Sequence, residues 1–326
     1  MVGRRSSTPR GRTFASIALG LVLLEAGLHL LLGNFGQSKL LQHSDDAEVC
    51  LELRPRTELT YTGWRARVPA TTMRTNSYGI RGPEFTFDKA PGTLRIAAVG
   101  DSFTFGQGVE EDEAFVQVAG RRLMESGIRA EVLNFGVPGH GTPQSVALVK
   151  RKVLATKPDV VLINVFPNDL TDEESYCVYG QSDSEAARWV LQNVYVGRLF
   201  FFLGGPVFRP KLAPGTAERL GSPADRFVAA MTELVALGRE HGFKTAAVML
   251  TDRSQYEASQ WCQECPIAHD LLDGTGIHAI DLGPVWGSLQ KDVGANFIAG
   301  DDHFTVVGNR IVGDALGDAL APWVVR

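Results

Sequence analysis

Residues 159–166 (DVVLINVF) constrain the fold of this chain more than any other feature. The segment is apolar at odd and even positions alike, so both of its faces are buried. That is the pattern of a parallel strand covered by helices on two sides. Similar short apolar runs occur at 94–100, 130–135, 244–250 and 278–282. Helical spacing lies between them. Residues 114–126 form one helix, with the acidic run Glu110 to Glu113 at its positive end. Thr142 reads as the N-cap of a second helix, with Pro143 at the first helical position, running to about 156. Ser222 caps a third helix ending near His241, and 306–320 form the last. Strands alternating with helices predict an α/β fold, a three-layer α/β/α sandwich with a five-stranded, mostly parallel sheet. Such folds bind ligands at the carboxyl ends of their strands.

The N-terminal part reads differently. Residues 1–12 are a basic tail containing Arg4, Arg5, Arg10 and Arg12, and 14–32 are a run of 19 mostly apolar residues. That length suits a transmembrane helix, here a signal anchor over 13–33. With only Lys39 close behind it, the charge asymmetry puts the tail in the cytoplasm and the body of the chain outside. Glu25 within the run opposes insertion. A cleaved signal peptide is the competing reading; the run is long for one, and residues 31–36 are a poor cleavage site. Residues 34–93 read as a connector with some strand character, and 94–326 as the main α/β domain. Of the four cysteines, Cys50, Cys177, Cys262 and Cys265, the last two have C-x-x-C spacing without further zinc ligands at matching positions. A structural disulfide in an exported protein is the expectation, its pairing undecided. A net charge of -5 gives no basic surface for nucleic acid.

Four clusters carry chemistry. Gly100-Asp101-Ser102 follows the first sheet strand and presents a serine at its carboxyl end. A serine hydroxyl needs a neighbouring base to become a nucleophile. Residues 134–141, with glycines at 136, 139 and 141, follow the second strand and let a backbone N–H approach an anion. Asn168 and Asp169 follow the third, where an asparagine amide is a second oxyanion donor. Asp301, Asp302 and His303 precede the last helix and hold the parts of a base with an orienting acid.

Together these clusters resemble the sequence blocks of the SGNH (GDSL) hydrolase superfamily over about residues 94–326. The resemblance implies an SGNH/flavodoxin-like fold and an acyl-enzyme mechanism at carboxylic esters. It implies Ser102 as nucleophile, His303 as base, and an oxyanion hole from the Ser102 and Gly139 N–H groups and the Asn168 side chain. Asp101 and Asp169 would then fix their loops. No cofactor or metal is implied. The substrate would be a small-molecule, lipid or glycan ester. One departure stands out: the usual Asp-x-x-His spacing would put the acid at Gly300, so Asp301 is the expected acid and Asp302 the alternative. Residues 76–82 (NSYGIRG) also resemble a segment that often precedes the core in membrane-anchored members. The same residues would serve an acyltransferase acting on a cell-surface glycan, or survive in a non-catalytic surface-binding protein. Residues 170–221, with an apolar stretch at 194–203, are expected to shape the substrate pocket.

Overall fold

The computed structural model describes residues 16, 19–27, 40–61, 70–166, 169, 222–251, 253–257, 265–282 and 285–325. Two short antiparallel hairpins come first: β1 (Leu41–His43) with β2 (Leu51–Leu53), and β3 (Glu58–Tyr61) with β4 (Thr71–Arg74). The main sheet consists of β5 (Leu94–Val99), β6 (Ala130–Asn134), β7 (Val160–Val165), β8 (Lys244–Met249) and β9 (His278–Ile280). Its order is β6-β5-β7-β8-β9, and every neighbouring pair is parallel. The five strands lie where the apolar runs predict them.

The helices are α1 (Ser102–Phe105), α2 (Phe115–Glu125), α3 (Thr142–Leu148), α4 (Pro223–His241), α5 (Arg253–Glu257), α6 (Cys265–Asp273), α7 (Trp286–Lys291), α8 (Val293–Asn296) and α9 (Val306–Val324). Alternate strand residues part to opposite faces of the sheet. Ala97, Val99, Val161, Ile163 and Ala247 enter one core with Val146 of α3 and Phe227, Met231 and Leu234 of α4. Ile96, Ala98, Val160, Leu162 and Ala246 enter the other with Phe115 and Leu123 of α2 and Val312 and Leu316 of α9. This two-sided burial is why the strands read as continuous apolar runs.

Residues 40–93 are more than a connector. Leu40, Val49, Leu53, Leu59, Met73 and Ile80 are buried in the same core as α3 and α4. Glu52, only 4% exposed, accepts from Ser44 Oγ at 2.6 Å and pairs with Arg151 at 2.5 Å and Lys152 at 2.7 Å. Residues 76–79 form a turn, with Gly79 at φ +75° and its N–H on the Asn76 carbonyl.

The expected transmembrane helix is not found: among the described residues no helix is long and apolar enough to cross a membrane. Residues 19–27 are helical, and most of their side chains are exposed. Apart from Ser16, the rest of the 14–32 run lies outside the described residues, as do the stretch 170–221, Cys177 and Cys262. Cys50 is buried.

Helices α2 and α9 approach closely because α9 carries glycines on the contact face. A Cβ at Gly313 would stand 2.4 Å from Val118 Cβ and 2.6 Å from the Phe115 carbonyl oxygen. One at Gly287 in α7 would meet nothing within 4 Å. Gly313→Ala is therefore expected to lower stability by about 1–3 kcal/mol through overpacking. Gly287→Ala should instead raise it by up to roughly 1 kcal/mol through helix propensity. Denaturant titration of both variants measures the difference.

Candidate active site

The chain steps from β5 to β6 on one side and then crosses back to β7 on the other. A crevice opens where strand order reverses in this way, at the carboxyl ends. Three loops meet there: the one after β5 carrying Ser102, the one after β6 carrying Gly139, and the one after β7 carrying Asp169.

Gly100 ends β5 at φ +148°, and a Cβ on it would fall 2.5 Å from Thr104 Oγ1. Only glycine permits a turn this tight. Asp101 then caps α1, its carboxylate accepting from the Phe103 N–H at 2.9 Å and the Asn164 amide at 2.9 Å. Burial raises the Asp101 pKa, against those hydrogen bonds and the nearby His303. Ser102 is the first residue of α1 and is half-buried.

His303 comes from the loop between α8 and α9. Gly300 adopts φ +77°, the Asp301 N–H returns to the Ile298 carbonyl at 3.0 Å, and the Ile298 N–H bonds the His303 carbonyl at 2.9 Å. Arg253 Nη1 also donates to Ile298 O, at 3.0 Å. Asn309 of α9 accepts from the Phe115 N–H of α2 at 2.9 Å, which fixes the start of α9 against the sheet-covering helix. Phe103 packs against the imidazole with ring centroids 4.7 Å apart.

Asp301, Ser102 and His303 form a continuous hydrogen-bonded line. His303 Nε2 lies 2.6 Å from Ser102 Oγ, and His303 Nδ1 bonds Asp301 Oδ1. The same carboxylate oxygen accepts the His303 backbone N–H at 2.9 Å. Burial pushes the Asp301 carboxyl upward, but the His303 hydrogen bonds and charge outweigh it and hold it below its ordinary value. An ionised carboxylate only accepts, so Nδ1 carries the proton and Nε2 is left to accept from the serine O–H. Asp301 thus meets the ring, while Asp302 is exposed. With Gly300 in the left-handed turn, an acid two residues ahead of the histidine reaches Nδ1.

Gly139 has φ +87° in a turn where the His140 N–H donates to Val137 O at 3.0 Å. Asn168 lies outside the described residues. Asp169 links the second and third loops, accepting from the Thr142 N–H at 3.1 Å and the Phe166 N–H at 2.8 Å. This corrects the reading of Thr142 as an N-cap. The cap position is Gly141, Thr142 is already helical, and a carboxylate from another loop satisfies its N–H.

Three residues outside the expected set hold the serine turn. Asn164 supports Asp101, Asn134 Nδ2 donates to the Thr104 carbonyl at 2.8 Å, and Arg81 donates to three carbonyls at the far end of α1. Asn134 and Arg81 stood within segments visible in the sequence, but their backbone partners carry no side-chain signature.

A family model for GDSL-like lipase/acylhydrolase matches residues 96–316. The chain belongs to the GDSL-like lipase/acylhydrolase family. As a member it is a carboxylic ester hydrolase. Solved structures similar to this acylhydrolase include a lipase/acylhydrolase from Enterococcus faecalis, with 18% identity and TM-score 0.44 over 71% of this chain and 96% of that one. An acetyl xylan esterase, AlAXEase, shows 18% identity and TM-score 0.44 over 70% and 100% of the two chains. A catalytic mutant of an acetylxylan esterase from Geobacillus stearothermophilus shows 14% identity and TM-score 0.44 over 70% and 94%. Likeness at this level decides nothing about substrate. No curated protein matches the chain.

Removing the Asp169 carboxylate would orphan the N–H groups of Thr142 and Phe166. Asp169→Ala is expected to cost about 1–3 kcal/mol of stability, the penalty of leaving buried donors unsatisfied. Thermal or denaturant unfolding checks it.

Proposed function

We propose that this acylhydrolase is a serine esterase working through an acyl-enzyme on Ser102. The observation that carries the reading is the 2.6 Å contact between Ser102 Oγ and His303 Nε2, with Asp301 on the opposite ring nitrogen. In this scheme the hydroxyl attacks the ester carbonyl as its proton passes to Nε2. Asp301 holds the ring in the tautomer that can accept and stabilises the imidazolium that forms. The imidazolium then protonates the leaving alcohol. Water, deprotonated by the same nitrogen, releases the acid.

The developing oxyanion would be met by the N–H groups of Ser102 and Gly139 and by the Asn168 amide, donors worth several kcal/mol when preorganised. The glycine turn after β6 supports this for Gly139. For Asn168 the support is its position directly after β7. The apolar run at 14–32, preceded by four arginines, supports a body held outside the cytoplasm on an N-terminal anchor. Its substrates would then be esters of extracytoplasmic small molecules, lipids or glycans.

Purified protein is expected to hydrolyse short-chain aryl esters and to be labelled by a fluorophosphonate, and Ser102→Ala should lose both activities. Full turnover by that variant would end the serine assignment. Asp301→Asn should lower kcat by about 10⁴-fold at neutral pH, because the amide leaves the imidazole in the wrong tautomer. Asp302→Asn should stay close to the parent, and steady-state kinetics on the pair separates the two acids. Because His303 holds the Asp301 carboxyl below its ordinary value, this hydrogen-bonded pair stabilises the fold above the unfolded carboxyl pKa. The contribution fades as pH falls through the lowered folded value.

A further inference from the structure

A one-turn helix cannot satisfy its own ends. In α1 the amino end is served by Asp101, and the carboxyl end runs into Gly106 at φ +80°. The N–H groups of Gly106 and Gln107 both fold back onto the Ser102 carbonyl, each at 3.0 Å. The carbonyls of this returning segment then need donors. The Phe105 carbonyl has a long contact from Asn134 Nδ2 at 3.5 Å and that of Gly106 one from the Val109 N–H at 3.4 Å, and one side chain supplies the short bonds. Arg81 Nη1 donates to the carbonyls of Phe105 and Gly106, each at 2.5 Å, and Nη2 donates to that of Val109 at 2.6 Å.

The guanidinium is 4.5 Å from the centroid of the Phe105 ring, and Arg81 is 1% exposed. Its backbone is fixed too, the Arg81 N–H bonding the Asn134 carbonyl at 3.2 Å. A Cβ on Gly106 would come within 3.0 Å of Nη1, so glycine there makes room for the fork. Burial pulls the Arg81 pKa down to about 10, with the acidic residues Glu110 to Glu113 opposing the drop, so the group stays charged at neutral pH. Arg81 lies upstream of the residues that the family model matches, 96–316.

We infer that Arg81 is a positioning residue for the reaction: its fork on three carbonyls fixes the segment whose amides hold Ser102, and so sets the Ser102 hydroxyl against His303. The inference rests on Ser102 being the nucleophile. Lysine cannot replace the fork, because an ammonium does not present the same planar set of donors. A cavity of about 560 Å³ is lined by Arg81, Gly82, Glu111 and Gln117 among others.

The test uses the full chain with Arg81→Ala and Arg81→Lys, an aryl ester, and a fluorophosphonate. Both variants are first checked for a cooperative unfolding transition above the assay temperature. Folded Arg81→Ala should lose about 10²-fold in kcat, the size expected for a reacting group misplaced by about 1 Å. Its KM should stay within about threefold of the parent, as when an interaction made in the transition state is lost. Methylguanidinium should restore at least part of kcat in Arg81→Ala and do nothing for the parent or Ser102→Ala.

A kcat close to the parent's, a loss confined to KM, or a kcat loss without methylguanidinium rescue overturns the inference. Where Arg81→Ala does not fold, Arg81→Lys decides: a lowered kcat at unchanged KM upholds the inference and parental kcat overturns it. If neither variant folds, Arg81 serves the fold rather than the reaction, and the inference falls. Parent protein that resists the fluorophosphonate sinks the Ser102 reading itself. Normal labelling of the parent with fully active Arg81 variants sinks only the role of Arg81.

Discussion

The geometry of the site depends on how a single helical turn is held at both ends. Ser102 stands at the start of α1, four residues long, between a glycine-tight strand exit and a left-handed Gly106. Such a turn has only a few backbone hydrogen bonds of its own and leaves most of its end groups unserved. Its neighbours supply what it lacks: Asp101 and Asn164 at the front, Asn134 on the Thr104 carbonyl, and Arg81 behind. Each comes from a different element, so the serine's position is a property of the whole upper edge of the sheet.

The second half of the site reaches that edge from the far end of the chain. His303 and Ser102 are 201 positions apart in sequence. Helix α9 bridges the gap by packing on α2 through glycines, and Asn309 ties the first turns of the two helices together. The Asp301 carboxylate then bonds both the ring and the backbone of the histidine, so that ring orientation and loop conformation are set by one group. Hydroxyl, imidazole and carboxylate stand in the order that proton transfer requires.

Much of this was legible in the sequence. The five strands were readable because burial on both faces leaves an unbroken apolar signature in runs such as 159–166. The clusters around Ser102 and His303 could be found because, though each alone is ordinary turn chemistry, they fall together at strand ends and before the last helix. Three kinds of feature could not be read. Thr142 looked like a cap because the carboxylate that really serves its N–H, on Asp169, sits 27 positions away. Arg81 was visible only as part of a short motif, since its partners are backbone carbonyls 24 to 28 positions downstream. Residues 34–93 read as a connector with some strand character, but their packing into the core could not be read, because hairpin strands of three or four residues leave little pattern.

Those hairpins carry a consequence for anyone who trims the chain. Leu53, Met73 and Ile80 lie against the same apolar interior as Phe135 and Val149, and Glu52 neutralises two cations on the helical stretch after β6. Excision at the first residue of the family match would strip a greasy flank bare and leave Arg151 and Lys152 without their shared counter-ion. A trimmed version of the enzyme should therefore start ahead of Leu40, and a shorter one invites clumping rather than catalysis.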